Sequence, residues 1–253
     1  MTSVIRSIAS STADEAEWAL RCDMAAIFRL CARFGWSEKI GNHNSVMLPG
    51  EEKLFLINPR GSLFCELRAS DLLICDLDGR VISGRGELRK VAFHIHARIH
   101  LGNPNAVAVI HVHPQYLTAL SMIDGGRLAL AHHNNLILND RVAYDTEGYA
   151  PVDDNEEGDR IARLLGQKTI LVMAHHGVTV VGPTPVEAFD ELCSAERTCM
   201  YQITAMQTGQ ALREIPEQYR LNYLGRWGDR RDARLHLDAW RRVLDRQEPD
   251  YAT

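Results

Sequence analysis

The sequence predicts a mixed fold, α/β or α+β, in which helices pack in layers around one sheet. Segments with the period of a helix alternate with short runs of strand-like composition along the whole chain. The chain has 253 residues, 45% of them hydrophobic, which is enough for one large domain with a substantial core. No repeat, low-complexity segment or linker interrupts the pattern, so we expect a single domain over 1–253.

The first predicted element is a helix over residues 11–35. Thr12 is a candidate N-cap with Glu15 three residues on, and Gly35 would end the helix in a left-handed conformation. Apolar side chains recur at spacings of three and four, which predicts a core-facing stripe; they are Leu20, Met24, Ile27, Cys31 and Phe34.

Short strands follow, and then helices and strands alternate. We predict strands over 45–48 and 53–58, and a hairpin over 72–82 with Asp78-Gly79 as its turn. The remaining predicted elements are helices at 87–102, 116–123, 156–166, 184–209 and 229–247, and strands at 106–113, 141–145 and 168–177.

Two of these helices carry further signals. Thr184 is the predicted cap of the long helix, with Pro185 in its first turn and Glu187 completing a capping box. The C-terminal helix over 229–247 alternates positive and negative side chains, which is typical of a face that meets solvent or another subunit.

Composition argues against several classes of protein. A net charge of -5 and a pI near 6.1 argue against a nucleic-acid-binding surface. No apolar run approaches 18 residues, so we expect no membrane span. The N-terminal residues lack the apolar core of a signal peptide. The six cysteines are scattered without C-x-x-C spacing, so we expect reduced thiols in a cytoplasmic protein.

Histidine usage is the unusual feature of the chain. Nine of the eleven histidines fall in four tight groups: His94/His96/His100, His111/His113, His132/His133 and His175/His176. In "AVAVIHVHP" (106–114) an apolar strand ends in two histidines one residue apart. Because alternate side chains of a strand point the same way, His111 and His113 face one side and can converge on one ion.

A second apolar strand ends in the same way. In "TILVMAHHG" either His175 or His176 could reach the sheet edge of the first pair, and alternation over 168–177 places Ile170, Val172, Ala174 and His176 on one side. Three imidazoles with an open position are typical of a catalytic metal site, whereas structural zinc sites usually add thiolates. The alternative is that these histidines are hydrogen-bonded strand ends.

The remaining histidine groups allow more than one interpretation. His96 and His100, four residues apart on a helix, could bind a metal themselves, although we expect one to face solvent and the other to pack. His132 and His133 could line a pocket or lie in an exposed loop.

Four segments, in order and spanning roughly residues 18–210, resemble the class II aldolase/adducin-head family. They are "GWSEKIGNHNSVMLPGEEKLFLINPRG", "LRASDLLICDLDGRVI", "HARIHLGNPNAVAVIHVHP" and "VMAHHGVTVVGPTPVEAFDELCSAERTC". The segments "INPRG", "SDLL" and "RVAYD" resemble the adducin-head-like bacterial members most.

This resemblance implies a three-layer α/β/α fold with a largely antiparallel central sheet, in homotetramers with sites at subunit interfaces. The family core would cover about 18–210, followed by a helical extension over 211–253. The metal ligands would be His111, His113 and His176. Residues beside the substrate would be Gly41, Asn42, Ser45, Asn58 and Gly61, and we add Arg60 as a candidate for a substrate carboxylate.

One position departs from the family pattern. The acidic residue that family aldolases use as fourth ligand and base falls here on Ala92, and the nearest carboxylate is Glu87. This departure favours decarboxylation or another lyase reaction over the usual sugar-phosphate cleavage. Further candidates for acid-base roles are Tyr116, His133 and Tyr149, together with His132 and Tyr144.

The sequence therefore predicts a metal-dependent carbon–carbon lyase that acts on a small hydroxy, oxo or aromatic acid through an enolate. The expected cofactor is a divalent metal, zinc first, with manganese, iron or cobalt as alternatives. The rival hypothesis is a non-catalytic binding or scaffold module, because adducin heads in the resembled family are interaction modules and a fold does not determine a function.

Overall fold

A computed structural model describes residues 2–148, 155–227 and 232–253. The described helices are α1 (Thr2–Arg33), α2 (Lys90–Gly102), α3 (Gln115–Ser121), α4 (Asn135–Leu138), α5 (Asn155–Leu165), α6 (Pro185–Met206), α7 (Glu217–Trp227) and α8 (Ala233–Gln247). The described strands are β1 (His43–Met47), β2 (Leu54–Ile57), β3 (Leu73–Asp76), β4 (Val81–Ser83), β5 (Ala108–Val112), β6 (Val142–Tyr144), β7 (Ile170–Val172) and β8 (Val178–Gly182).

All eight strands form one sheet in the order β4-β3-β2-β1-β5-β8-β7-β6. Neighbouring strands run antiparallel except β6 and β7, which run parallel. The predicted mixed fold with a largely antiparallel sheet is confirmed. β5 lies in the middle, between β1 and β8, so side chains at its end are held by strands on both sides.

The side chains of β5 divide between two cores. Ala108, Ile110 and Val112 are buried in a large core that also includes the apolar face of α1 and side chains of α6 and α8. Val109 faces the other way, into a core shared with side chains of α2 and α5. Because both faces of the sheet are covered by helices, the strands of its centre are fully buried.

The start and end of α1 test the first predictions. The helix begins at Thr2, so the prediction that Thr12 caps it is wrong: helical backbone continues through that position. Gly35 has φ +71°, which confirms the left-handed stop. The predicted core-facing stripe is confirmed, since Met24, Ile27 and Cys31 are fully buried.

Other capping and turn signals are confirmed. The backbone N–H of Glu187 donates to the Thr184 hydroxyl at the start of α6. β3 and β4 form the predicted hairpin, with Gly79 at φ +85° in its turn. The C-terminal helix α8 buries Leu237 and Leu244, and two of its arginines pair with Asp23 of α1, so one of its faces packs within the protomer.

The sequence-based boundaries fail where short elements meet. The strand predicted over 168–177 ends at Val172, and the separate strand β8 follows after a turn. β8, α4 and α7 are absent from the prediction. Among the described helices, none is both long and apolar enough to cross a membrane.

Candidate metal centre

His111 and His113 occupy the end of β5. His111 is almost fully buried and pairs across the sheet with His43 of β1 and Thr179 of β8. His113 lies one residue past the strand, and its backbone N–H donates to the carbonyl of Trp36 at 2.9 Å. The alternation of β5 therefore presents both imidazoles on one side, as predicted.

His176 reaches the same place from a turn. The backbone N–H of Met173 donates to the carbonyl of Gly177 at 2.9 Å, and that of His176 donates to the carbonyl of Met173 at 3.2 Å. His175 has φ +55°, so the chain reverses and strand alternation does not apply here. The residue that the resemblance selects, His176, is the one that this turn brings to the cluster.

Gly177 makes the close approach possible. A Cβ at this position would lie 2.5 Å from Cδ2 of His113 and 2.7 Å from the carbonyl oxygen of Val112. Real side-chain carbons do not approach so closely, and the neighbours are a packed ring and a backbone atom. Any side chain here would therefore displace the His113 ring.

The three histidines form a compact group of potential ligands. One ring nitrogen from each of His111, His113 and His176 lies within 4.8 Å of the other two. The ring centroids are 4.7 to 5.3 Å apart. Nε2 of His113 is buried and has no hydrogen-bond partner, which is costly unless the nitrogen binds something else. This donor set fits one divalent cation such as zinc.

Acceptors behind the rings orient two of these histidines. Nδ1 of His113 lies 2.8 Å from Oε2 of Glu38, and Nδ1 of His111 lies 3.2 Å from the hydroxyl of Thr179. When Nδ1 donates to such a group, Nε2 keeps its lone pair for a metal. The hydrogen bond and charge of His113 lower the pKa of Glu38, so the carboxylate is ionised at neutral pH.

Burial favours the neutral form of two candidate ligands, His176 and His111, which metal binding requires. It lowers the pKa of His176 to about 4, with neighbouring His113 contributing in the same direction. Burial also lowers the pKa of His111 well below its usual value, and the surrounding imidazoles add to the effect. Neutral imidazoles are therefore available at physiological pH without loss of a proton.

Three asparagines frame the cluster. Oδ1 of Asn42 accepts from the backbone N–H of Glu38, and Oδ1 of Asn44 accepts from the backbone N–H of His111 at 3.1 Å. Asn58 in turn accepts from the backbone of Asn44 at 3.1 Å. The Nδ2 atoms of Asn42 and Asn44 are buried without a hydrogen-bond partner, so two amide donors are left for a ligand.

The other residues expected beside a substrate are arranged around this frame. Gly41 lies in the turn from Glu38, to whose carbonyl its N–H donates at 3.0 Å. Gly61 follows β2 at φ +90°. Arg60 is exposed and pairs with Glu87 at 3.5 Å. Ser45 is fully buried and bonds to two histidines of α2, so its hydroxyl serves the interior of the protomer.

Position 92, where the resembled family has its acidic residue, holds an alanine that packs among apolar side chains. Ala92 is 1% exposed and packs against Phe55, Ile57 and Cys75. The side chain of Glu87 is 79% exposed, and its described partner is Arg60. A catalytic role of Glu87 stays a prediction that no contact within the protomer supports.

Two of the remaining acid-base candidates, Tyr116 and His133, lie outside the cluster. Tyr116, on the first turn of α3, lines a separate cavity of about 450 Å³ with Trp36 and Trp240. His133 is exposed against the ring of Tyr223. Tyr149 lies outside the described residues. Their catalytic roles remain predictions.

Sequence reasoning was wrong about α2 and missed several contributors. Neither His96 nor His100 faces solvent as one was expected to; both point inward and bond to Ser45. The contributors missed were Glu38, His43, Asn44, Arg89 and Thr179. Of these, all but Arg89 lie inside segments that resemble the family, and His43 and Asn44 lie in its "GNHNS" motif.

Arg89 adds a positive charge near the site. It precedes α2, its guanidinium donates to the carbonyl of Ile40 at 3.1 Å, and its charge contributes to lowering the pKa of His43. It borders a cavity of about 1020 Å³ together with Arg60 and Glu87. A guanidinium in this position can bind a carboxylate or phosphate oxygen.

Curated relatives match most of the chain. A model of the class II aldolase and adducin N-terminal domain matches residues 22–203. A Caulobacter vibrioides protein that bears the name "Putative aldolase class 2 protein" is 36% identical over 94% of this chain and 93% of its own length. Mouse alpha-adducin is 32% identical over 76% of this chain, which corresponds to 26% of the adducin.

Solved structures agree with this relationship. An aldolase II superfamily protein from Pseudomonas syringae superposes with a TM-score of 0.86 at 30% identity, covering 94% of this chain and 96% of that one. An L-fuculose 1-phosphate aldolase from Glaciozyma antarctica gives 0.80 at 26% identity, covering 94% and 92%. The chain therefore belongs to the family of class II aldolases and adducin N-terminal domains.

Proposed function

We propose that the protein is a divalent-metal-dependent carbon–carbon lyase that acts on a small hydroxy, oxo or aromatic acid. The observation that carries this proposal is the cluster of His111, His113 and His176, with Nε2 of His113 buried and unpaired. Zinc is the first candidate for the ion, and manganese, iron or cobalt would also accept imidazole ligands.

The three histidines would hold the ion, and Glu38 and Thr179 would keep His113 and His111 in the correct tautomer. When bound, a divalent ion supplies Lewis acidity, which withdraws electron density from a carbonyl and favours an enolate. The free amide donors of Asn42 and Asn44 would hydrogen-bond to substrate oxygens where negative charge develops.

Two arginines that line one cavity, Arg89 and Arg60, support an acidic substrate. Arg89 and Arg60 border the same cavity and would bind the carboxylate of the substrate. The chain has an overall negative charge, so attraction of an acid depends on these local guanidinium groups. A small acid with an adjacent oxygen would then present that oxygen to the histidine cluster.

The apolar surroundings of Ala92 bear on the reaction type. A decarboxylation moves the electron pair of the breaking carbon–carbon bond into the enolate as CO₂ leaves, and a proton is then added to carbon. No base has to remove a proton first, which suits a site with no carboxylate at this position. Aldol-type cleavage, which needs a base for the substrate hydroxyl, is the second form of the proposal, and the aldolase structural relative favours it.

The remaining expectations belong to the same proposal. We propose that the chain acts in the cytoplasm as one domain over 1–253 and assembles into a homotetramer with its sites at subunit interfaces. The 61% exposure of the Glu38 side chain is compatible with a site edge that another subunit completes.

A non-catalytic binding or scaffold module is the alternative. The relationship to alpha-adducin and the absence of a carboxylate at Ala92 favour it. Retention of three histidines together with their orienting acceptors opposes it, because a scaffold has no need of an open metal site.

Metal analysis of the tag-free protein tests the proposal. We expect about one divalent ion per chain in the parent and none in the double variant His111→Ala/His113→Ala. The matched control is His132→Ala/His133→Ala, which removes two neighbouring histidines outside the cluster and should keep the ion. A parent that holds no zinc, manganese or iron after incubation with each would contradict the lyase proposal.

A substrate screen then separates the two functions. The metal-loaded parent is assayed with hydroxy and aromatic acids for CO₂ release and for carbonyl products of cleavage. Turnover that disappears in His111→Ala/His113→Ala supports the lyase. A stoichiometric ion without turnover of any acid in the panel favours the binding module.

A further inference from the structure

Three histidines outside the metal cluster form a buried hydrogen-bonded chain with Ser45. His43 lies on β1, and His96 and His100 lie on α2 one turn apart. The chain runs from the carbonyl oxygen of Ala106 through His100, Ser45 and His96 to His43. The proposed reaction assigns no role to these four side chains.

The carbonyl of Ala106 fixes the direction of the first bonds. A carbonyl oxygen can only accept, so Nδ1 of His100, at 2.6 Å, carries the hydrogen. A neutral imidazole has one N–H, so Nε2 of His100 is an acceptor. The hydroxyl of Ser45, at 2.8 Å from that nitrogen, must therefore donate to it.

The hydroxyl of Ser45 also determines the direction of the bonds toward His43. The hydroxyl hydrogen of Ser45 is already donated to His100, so the Ser45 oxygen accepts from Nδ1 of His96 at 2.5 Å. Nε2 of His96 is then a lone pair, and it accepts from Nδ1 of His43 at 2.8 Å. The proton of His43 is thereby placed on Nδ1, which leaves a lone pair on its Nε2.

These bond directions hold for neutral rings, and the surroundings of the three histidines favour the neutral form. His43 and His96 are buried among other imidazoles, and the described contacts of the three rings include no carboxylate. His96 is fully buried and His43 is 3% exposed, so a charge on either ring would be largely cut off from water. A charged imidazole here would lack a compensating partner.

The open nitrogen of His43 lies beside the metal cluster. The His43 ring stacks on that of His111, with centroids 4.8 Å apart and planes at 27°. The hydrogen bond between the side chains of His43 and His96 uses Nδ1 of His43, not its Nε2. His43 as a whole is buried, with 3% of its surface exposed.

We propose that His43 determines specificity: its Nε2 accepts a hydrogen bond from a hydroxyl group of the molecule bound at the histidine cluster. The chain from Ala106 acts by fixing this acceptor role, so His96, Ser45 and His100 are positioning residues. The inference rests on the proposed function for the presence of a small acid at the site. It narrows that acid to one with a hydroxyl, because a ketone oxygen in the same position would face a lone pair.

Nitrogen NMR tests the tautomer directly. The full-length protein is labelled with ¹⁵N-histidine, and long-range ¹H–¹⁵N spectra are recorded with and without zinc. We expect His43, His96 and His100 to carry their proton on Nδ1, against the Nε2–H form that predominates for a free histidine in water. Ser45→Ala should release His96 and His43 from the Nδ1–H form, whereas Ser45→Thr, which keeps the hydroxyl, should not. A proton on Nε2 of His43 in the parent would overturn the inference.

A ligand pair tests the consequence. Binding of lactate and of pyruvate to the zinc-loaded parent is measured by titration, since the two differ by hydroxyl against ketone. We expect lactate to bind about tenfold tighter, a preference that Ser45→Thr retains and both Ser45→Ala and His43→Asn lose. Equal binding, or binding of neither acid, would overturn the inference. If the parent does not bind zinc, the proposed function is contradicted. The tautomers can still be measured in the metal-free protein, so the inference is tested separately.

Discussion

Two sets of three histidines lie next to each other in this protein, and they differ in the partners of their ring nitrogens. His111, His113 and His176 each direct a ring nitrogen at a common point. In the second set, the two rings of His96 and His100 use every nitrogen in bonds within the protein. The sets meet where the ring of His43 stacks on that of His111.

The difference between the sets comes from the groups behind the rings. A carboxylate and a hydroxyl, Glu38 and Thr179, stand behind His113 and His111 and leave the far nitrogens open. In the second set, the backbone carbonyl of Ala106 accepts from the first ring, and hydrogen bonds through Ser45 link that ring to the other two. Identical side chains are therefore left free to bind an ion in one set and are fixed within the protein in the other, according to the acceptor that each one meets.

The largest expected effect comes from Gly177→Ala. The new Cβ would overlap the His113 ring and the Val112 carbonyl, so the ring must move away from the common point. We expect the metal content to fall from about one per chain to near zero, and unfolding free energy to fall by about 1–3 kcal/mol. Metal analysis and urea unfolding measure the two effects.

Gly225→Ala is the matched control for this change. Gly225 lies in helix α7 with nothing within 4 Å of an added Cβ, so alanine should leave the metal content unchanged and stabilise the helix slightly. Retention of the ion by Gly177→Ala would mean that His113 is not held at the position described.

Glu38→Gln should have the next largest effect. The amide keeps the size of the side chain but loses the charge that polarises His113, so zinc affinity should fall about 10–100-fold while stoichiometry at saturation is preserved. Competition with a chelator measures the affinity. Glu51→Gln, an exposed carboxylate on the β1–β2 turn, should change nothing.

The buried chain should appear in the pH dependence of stability. His43 and His100 have pKa values near 3 and 4 in the folded state against 6.5 in the unfolded state, so below pH 6.5 the unfolded chain binds more protons. Their contribution is complete above pH 6.5 and is lost as the pH falls toward 4. Each such histidine adds a slope of about 1.4 kcal/mol per pH unit in that window.

Urea unfolding of the metal-free protein between pH 5 and pH 6 measures this slope. In His100→Gln the amide can donate to the Ala106 carbonyl and accept from Ser45 without titrating. The slope of unfolding free energy against pH should therefore fall by the contribution of one histidine, about 1.4 kcal/mol per pH unit. An unchanged slope would show that His100 is already protonated in the folded state.

The smallest expected effect is that of Glu87→Gln. The side chain is 79% exposed and its partner Arg60 is 64% exposed, so stability should change by less than about 0.5 kcal/mol. Zinc affinity should equal that of the parent. A large loss of affinity or turnover would instead place Glu87 in the site of the assembled protein.

One half of the candidate metal site was predictable from the sequence for a physical reason, and the other half by resemblance alone. His111 and His113 follow from the alternation of β5, which is long, apolar and central. His176 does not, because β7 ends at Val172 and His175 turns the chain at positive φ. Local periodicity carries no information about the side chain that leaves such a turn.

The supporting residues could not be predicted from local patterns. Glu38 is 75 residues from His113, and Thr179 is 68 residues from His111, so both contacts depend on the folded sheet. His96 and His100 were misjudged because an amphipathic helix normally has one wet face, whereas α2 presents its histidines to the polar end of β1. The mixed fold itself was predictable from the alternation of periods along the chain.

X-ray absorption at the zinc edge tests the central claim most directly. The zinc-loaded protein should show three imidazole nitrogens at about 2.0–2.1 Å, and His176→Ala should remove one of them. A shell with sulfur, or one whose imidazole count is the same in His176→Ala as in the parent, would contradict a centre built from His111, His113 and His176.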